Sequence, residues 1–179
     1  MRVITGQARG RRLISPEGND VRPTTDKVKE SLFNIIQFRL AGACVLDLFA
    51  GSGQLGIEAL SRGAEKAVFV DSSRKSLDVV KKNIELCKFT SQAQTFLLDA
   101  AAYLRMTSEK FDVVILDPPY HKNLCVSALE LLGNAVNEDA VVICETQSDE
   151  ELPENVGCFI IDRVYSYSSI KLTVYRVDN

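Results

Sequence analysis

A buried strand that ends in an acid, two prolines and a tyrosine is the feature of this sequence most suggestive of chemistry. Val113 to Leu116 form a short apolar run, and Asp117-Pro118-Pro119-Tyr120 follows it directly. Proline lacks an N–H for the β-ladder and fixes φ, so the strand ends here in a rigid backbone. A carboxylate, a carbonyl of fixed direction and an aromatic face suit methyl transfer to the exocyclic amine of a base, because that reaction needs positioning and charge-stabilising acceptors. The alternative is a turn that only ends the strand.

A second motif indicates an adenosine-containing cofactor. Residues 51–56 match G-x-G-x-x-G between a predicted strand and a predicted helix, and Asp71 lies 20 residues after Gly51. In this pattern the glycines allow close approach of the backbone, and the acid binds the ribose hydroxyls. Both nicotinamide dinucleotides and S-adenosylmethionine fit it. Asp47, four residues before Gly51, would repel a pyrophosphate but attract the ammonium of a methionine group, and no second domain for a hydride-transfer substrate is expected after the sheet. These two features favour S-adenosylmethionine.

The elements that must position these motifs alternate between strand and helix until the last two strands. This order predicts an α/β fold with a mainly parallel, doubly wound sheet. Strands are predicted at 44–49, 66–71, 93–99, 111–117 and 140–145, with two more within 158–177, which gives seven. Ligands bind at the carboxyl ends of such strands. Asp47, Asp71, Asp99 and Asp117 all fall at those ends, and we interpret them as one site.

Composition restricts the class of protein. The chain has 179 residues, is 46% hydrophobic and has a net charge of −3, which fits a single globular domain and argues against a general polyanion binder. No apolar run is long enough to cross a bilayer, and no secretory signal is recognisable. The five cysteines stand singly beside one histidine, so we expect no zinc site and reduced thiols in a cytoplasmic protein.

The N-terminus is locally basic despite the acidic total. Arg2, Arg9, Arg11 and Arg12 precede the first acid, Glu17, in a stretch whose alternation predicts a short β-hairpin. The arginines suit either RNA phosphates or a hairpin surface that is merely solvated. Residues 1–24 are accordingly interpreted as a basic extension, and residues 25–179 as the main domain.

The motifs together resemble the RsmD family of bacterial rRNA guanine-N2 methyltransferases. The resemblance rests on "RPTTDKVKESLFN", "DLFAGSGQLGIEALSRGA", "FVD" and "DPPY", and extends from "TGQARGRRL" to "LTVYR". D-P-P-Y marks amino-methyltransferases generally, whereas the arrangement "GxxRGRxL", "RPT" and "SLFN" ahead of the glycine loop is more specific. The resemblance implies a Rossmann-like methyltransferase fold that uses S-adenosylmethionine to methylate N2 of a guanine in 16S rRNA during small-subunit maturation.

The resemblance also implies a role for particular residues. The expected catalytic set, which holds the guanine amine, is Asp117, Pro118, Pro119 and Tyr120. The expected cofactor-binding set is Arg22, Pro23, Thr24, Asp47, Phe49, Gly51, Gly53, Asp71, Asp99 and Ala100. The expected RNA-binding set is Arg9, Arg11, Arg12, His121 and Lys122.

The expected partner is 16S rRNA within an assembled or partly assembled 30S subunit, with the protein acting as a monomer away from membranes. Three other functions remain open from the sequence. They are adenine-N6 methylation of DNA or RNA, nicotinamide binding, and a non-catalytic RNA-binding role in assembly. Cofactor titration and nucleoside analysis distinguish them.

Overall fold

A computed structural model describes residues 1–15, 26–120 and 122–178. These residues form five α-helices and eight strands, which alternate in the predicted way through the first five strands. The helices are α1 (Asp26–Ile35), α2 (Gln54–Ser61), α3 (Arg74–Cys87), α4 (Ala100–Met106) and α5 (Leu124–Leu132). The strands are β1 (Cys44–Asp47), β2 (Lys66–Asp71), β3 (Ala93–Leu97), β4 (Phe111–Leu116), β5 (Val136–Gln147), β6 (Asn155–Val156), β7 (Phe159–Tyr167) and β8 (Ile170–Val177).

All eight strands form one sheet in the order β3-β2-β1-β4-β5-β8-β7-β6. The first five are mutually parallel, and β8, β7 and β6 continue the sheet antiparallel. The mainly parallel fold is therefore confirmed, but the predicted count of seven strands is wrong. The extra strand, β6, has only two residues, too few to produce a period of two in the sequence.

The direction of winding reverses between β1 and β4, which are neighbours in the sheet although 63 residues lie between Asp47 and Phe111 in the chain. The chain leaves β1 towards β2 and β3 on one side and returns to β4 on the other. Because successive crossover connections then diverge, a crevice opens above the carboxyl ends of β1 and β4. This position is where the glycine loop and the D-P-P-Y tetrad both begin.

Helices cover the two faces of the sheet and divide the core into two layers. Alternate residues of β4 show the division, since Val113 and Ile115 pack with α1, α2 and α3, while Val114 and Leu116 pack with α4 and α5. All four side chains are fully buried, as the apolar run predicts for a strand covered on both faces.

Gly56 allows α2, the helix that follows the glycine loop, to pack closely against the sheet. A Cβ atom at this position would lie 2.3 Å from Cε1 of Phe69, a fully buried residue of β2. The third glycine of G-x-G-x-x-G is thus required for packing between α2 and β2. It fixes the height of the loop above the strand ends.

The N-terminal segment, residues 1–15, folds back on itself over α2 and α3. Only one antiparallel bridge, between Arg2 and Arg12, forms where a β-hairpin is predicted. Val3, Ala8 and Leu13 point into the core. In the parts of the chain that the structure describes, no helix is long and apolar enough to span a membrane.

Candidate active site

A cleft of about 840 Å³ lies above the carboxyl ends of β1, β2, β3 and β4. Its walls combine residues that follow each of these strands, which are separated in sequence but adjacent in the sheet. The structure thus brings most of the predicted site residues to one cavity. Those that line it are Phe49, Gly51, Asp71, Asp99, Ala100, Asp117, Pro118, Pro119, Tyr120 and Lys122.

The remaining predicted residues fall into three groups. Asp47 and Gly53 are described but are not among the residues that line the cleft. Arg9, Arg11 and Arg12 are exposed on the N-terminal segment. The predictions for Arg22, Pro23, Thr24 and His121 concern positions outside the described residues.

Asp71 ties the glycine loop to the end of β2. Its Oδ2 accepts a hydrogen bond from the N–H of Gly51 at 2.8 Å, and its Oδ1 accepts from the N–H of Ser73 at 2.7 Å. Each carboxylate oxygen has a second lone pair, so both can still accept a bond from a hydroxyl in the cleft. Asp71 therefore supports the loop and offers acceptors to a ligand at the same time.

The loop backbone adopts conformations that favour glycine. Gly51 and Gly53 have φ values of +55° and +77°, and the N–H of Gly53 donates to the carbonyl of Ala50 at 2.6 Å. Ser52 lies between them and lines the cleft. This turn presents a backbone surface without bulky side chains to a ligand.

Asp47 is a buried carboxyl group beneath the glycine loop. Its side chain is 1% exposed, and its Oδ2 accepts from the N–H of Gly56 at 2.9 Å. Burial is the main cause that raises the pKa of Asp47 to about 7; the negative charges of Asp117 and Asp71 add to it, and the Gly56 hydrogen bond opposes it. Asp47 thus holds the start of α2 and titrates near neutral pH.

Asp99 occupies the wall of the cleft after β3. Its Oδ1 accepts from the N–H of Ala102 at 2.9 Å and caps α4. The exposed side chain and the neighbouring Ala100 both line the cavity. The residue therefore combines a local structural role with a position beside any ligand.

The D-P-P-Y tetrad forms the opposite wall. Pro118 is buried, Pro119 is exposed, and Asp117 and Tyr120 are half-buried. The hydroxyl of Tyr120 donates to Oε1 of Glu145 at 3.2 Å, and Glu145, in β5, is itself 1% exposed. Because this bond restrains the far end of the ring, the aromatic face has a defined orientation. Glu145 was not predicted, and its only signal is a single acid inside the apolar run 140–145.

A smaller cavity of about 270 Å³ adjoins the cleft at the tetrad. The two share Pro118, Pro119, Tyr120, Lys122 and Leu124 as lining residues. The smaller cavity continues past Tyr120 to residues of β5 and the loop after it, among them Glu145, Glu150 and Glu151. The tetrad therefore lies between the large cleft and this second, smaller cavity.

Comparisons with known proteins agree on one family. The family model described as Conserved hypothetical protein 95 matches residues 1–176. The chain is 41% identical to "Putative rRNA methyltransferase YlbH" of Bacillus subtilis, with 98% of each chain covered. It is 40% identical to "Ribosomal RNA small subunit methyltransferase D" of Haemophilus influenzae, over 87% of this chain and 84% of that protein. Among solved structures, "Putative methyltransferase yhhF from Escherichia coli" matches with a TM-score of 0.85 and 30% identity, over 99% of this chain and 98% of that one.

Proposed function

The chain belongs to the family described as Conserved hypothetical protein 95, the RsmD family, and from that premise we propose that it methylates N2 of a guanine in 16S rRNA. Membership confirms the predicted resemblance and makes the chain an S-adenosylmethionine-dependent rRNA methyltransferase. The choice of a guanine N2 as the target is the proposal. One observation carries methyl transfer to a base amine: the D-P-P-Y tetrad lines the same cleft as Asp71 and the glycine loop.

The cleft has the groups that S-adenosylmethionine requires. Asp71 offers acceptors for two ribose hydroxyls, Asp99 offers one for the adenine amine, and Phe49 and Leu98 provide apolar surface for the adenine ring. The cofactor supplies an electrophilic methyl group. We assign the loop at Gly51 and Gly53 to the side of the cofactor that carries ribose and methionine, and Asp47 to the charge beneath it.

The tetrad holds the nucleophile. Asp117 and the carbonyl of Pro118 are acceptors for the two N–H bonds of the amine, and Tyr120 is the surface on which the base stacks. With S-adenosylmethionine bound, the sulfonium would supply the methyl group, and Asp117 and the Pro118 carbonyl would direct the nitrogen lone pair towards it. The Asp117 carboxylate stabilises the positive charge on nitrogen until the extra proton leaves to solvent. The hydrogen bond from Tyr120 to Glu145 keeps the platform in place during this step.

The carboxylates near the tetrad support guanine over adenine. Carboxylates accept hydrogen bonds but donate none. Guanine presents two neighbouring donors, N1–H and N2–H, on its Watson–Crick edge, whereas adenine presents one donor beside an acceptor nitrogen. A cavity that carries Glu145, Glu150 and Glu151 therefore matches the guanine edge better. Adenine-N6 methylation is the second candidate, because the tetrad serves both amines.

Asp117→Ala tests this assignment. It should lower turnover by roughly 10²-fold or more, the effect of losing one charge-stabilising group, while cofactor affinity stays nearly normal. The assay is labelled methyl transfer to small subunits that lack the modification, followed by nucleoside analysis of the product. N2-methylguanosine supports the proposal and N6-methyladenosine overturns it. Near-normal turnover of the variant would remove Asp117 from the reaction.

The exposed arginines of the N-terminal segment are the proposed contact with rRNA phosphates. Changing Arg9, Arg11 and Arg12 together to Ala should weaken binding to small subunits. It should also flatten the salt dependence by about one unit of log–log slope per lost contact, with cofactor affinity unchanged. A full salt slope in the triple variant would mean that RNA is held elsewhere, for example at Lys122. We place this interaction in the cytoplasm, between a protein monomer and an assembled or partly assembled 30S subunit.

A further inference from the structure

Asn83, a fully buried residue of α3, contacts both the N-terminal segment and the glycine loop, to which the proposed function gives separate roles. Its Oδ1 accepts from the N–H of Ile14 at 2.8 Å. Its Nδ2 donates to the carbonyl of Ile14 and to the carbonyl of Ser52, each at 2.9 Å. One side chain therefore binds both the N–H and the C=O of Ile14 and, at the same time, the middle of the glycine loop at residues 51–56, called the cofactor loop below.

The bond to Ser52 matters because of where Ser52 lies. It is flanked by Gly51 and Gly53, which have positive φ and few conformational limits of their own. A carbonyl between two glycines is oriented by its hydrogen-bond partner, and that partner is Asn83. Ser52 also lines the cofactor cleft, so a shift of Asn83 changes the surface that the cofactor meets.

The bonds to Ile14 reach the RNA side of the molecule. Ile14 follows Arg12 by two residues in the N-terminal segment. The two ends of the segment are joined to each other, because Val3 N–H bonds to the Arg11 carbonyl at 2.9 Å and Leu13 N–H bonds to the Met1 carbonyl at 3.2 Å. A shift of the exposed arginines would therefore also shift Ile14 and change its hydrogen bonds to Asn83.

A second contact joins the same two parts. The hydroxyl of Ser52 donates to Sδ of Met1 at 3.1 Å, and Met1 lines the cleft. The N-terminal segment therefore meets the cofactor loop at both of its ends, through Met1 directly and through Asn83 at Ile14. Of the two, only Asn83 is fully buried, and its three hydrogen bonds use both amide hydrogens and the amide oxygen.

We propose that Asn83 is a positioning residue that couples the arginine-bearing N-terminal segment to the cofactor loop, so that rRNA and S-adenosylmethionine each strengthen the binding of the other. The proposal rests on the proposed function, because it takes the segment as the RNA contact. Coupling of this kind is reciprocal, and typical values begin at about fivefold in affinity. Its consequence is that the cofactor is held most tightly when the substrate is present.

The first experiment needs no RNA. Amide hydrogen exchange of the full chain is measured with and without saturating S-adenosylhomocysteine, and the rate at Ile14 is followed because Ile14 does not line the cleft. In the wild type, the ligand should slow exchange at Ile14 by about fivefold or more, in keeping with the coupling range. Binding of the ligand with no change at Ile14 overturns the proposal without the use of any variant.

Two substitutions separate coupling from simple support of the segment. Asn83→Asp keeps the acceptor for the Ile14 N–H but removes the donors to Ile14 and Ser52, so the ligand should no longer protect Ile14. Ser61→Ala is the matched control, since Ser61 bonds to Ala8 and Thr5 of the segment and to nothing in the cofactor loop. The control should exchange faster overall but keep the ligand-dependent protection. Loss of protection in the control as well overturns a specific role for Asn83.

The second experiment measures the affinity for S-adenosylhomocysteine with and without unmodified small subunits. The wild type should bind about fivefold more tightly when subunits are present, and Asn83→Asp should show a ratio near one. Binding of subunits with no change in cofactor affinity overturns the proposal. Failure to bind subunits at all contradicts the proposed function instead, and the exchange measurement still decides whether the loop and the segment are connected.

Discussion

Replacing Asp47 by Asn should remove a pH dependence from the stability of the protein. Asp47 is buried beneath the glycine loop, and its pKa is about 7 in place of the ordinary 3.8. The folded protein therefore binds more protons at this group than the unfolded chain does between about pH 4 and pH 7. Its contribution to the free energy of unfolding falls as the pH rises through that range, because the unfolded chain loses this proton while the folded protein keeps it.

The size of the effect follows from the two pKa values. At 1.36 kcal/mol per pH unit, the interval from 3.8 to about 7 corresponds to on the order of 4 kcal/mol. Asn has nearly the same shape and keeps an acceptor for the Gly56 N–H. Its new amide hydrogens cost about 1–3 kcal/mol if they find no acceptor, but this cost is the same at every pH.

The assay is urea unfolding of Asp47→Asn and wild type from pH 4 to pH 8, and the readout is the difference between the two curves. Groups common to both proteins cancel in that difference. The variant should gain relative to the wild type as the pH rises, with the gain complete slightly above pH 7. Parallel curves across the whole range would show that Asp47 does not titrate there, and the reasoning from burial would be refuted.

Three further changes test the supports of the site. Gly56→Ala should destabilise the fold by about 1–3 kcal/mol in a thermal unfolding assay, because the new Cβ would collide with Phe69. Gly133→Ala is the control and should cost much less, since a Cβ there meets only the sulfur of Cys158, at 3.3 Å. Asp71→Asn should weaken cofactor binding, measured by calorimetry, by about 1.5–3 kcal/mol, because the new NH₂ group would point at the N–H of either Gly51 or Ser73. An unchanged dissociation constant would contradict this. A double-mutant cycle of Tyr120→Phe and Glu145→Ala should show about 1 kcal/mol of non-additivity in unfolding, and strict additivity would mean that their hydrogen bond has no effect.

The sequence was sufficient for the fold because its strands are buried on both faces and separated by amphipathic helices. Predicted bounds differ from the structure mainly at strand ends: β1 stops at Asp47, and β5 begins at Val136, four residues before the predicted 140. The early start of β5 depends on pairing with Phe111 across a bulge, which no local pattern records. Strand β6 was missed because its two residues are too few to produce a period of two.

The cleft could also be predicted, since the carboxyl ends of parallel strands must meet at one edge. A local sequence pattern could not show that each acid also supports the structure through hydrogen bonds. Asp71 bonds to Gly51 and Ser73, Asp99 caps α4, and Asp47 holds Gly56. Glu145 went unnoticed because its partner, Tyr120, is 25 residues away in the chain. These contacts depend on tertiary structure rather than on spacing.

The N-terminal segment shows most directly why local sequence was insufficient. Its alternation predicted a hairpin, and a hairpin is stabilised by its own cross-strand bonds. Here a single bridge forms, and the segment is held instead by buried side chains of distant helices. Glu58 accepts from the N–H groups of Ile4 and Thr5, and Ser61 and Asn83 bind further along. These partners are 53 to 69 residues away in sequence. Because a buried carboxylate and a buried amide are costly unless satisfied, the helices and the segment require each other. A basic arm that moved freely would lose the bonds of Ile4, Thr5 and Ile14 to Glu58 and Asn83, so the arginines must be presented from a fixed surface beside the cofactor loop.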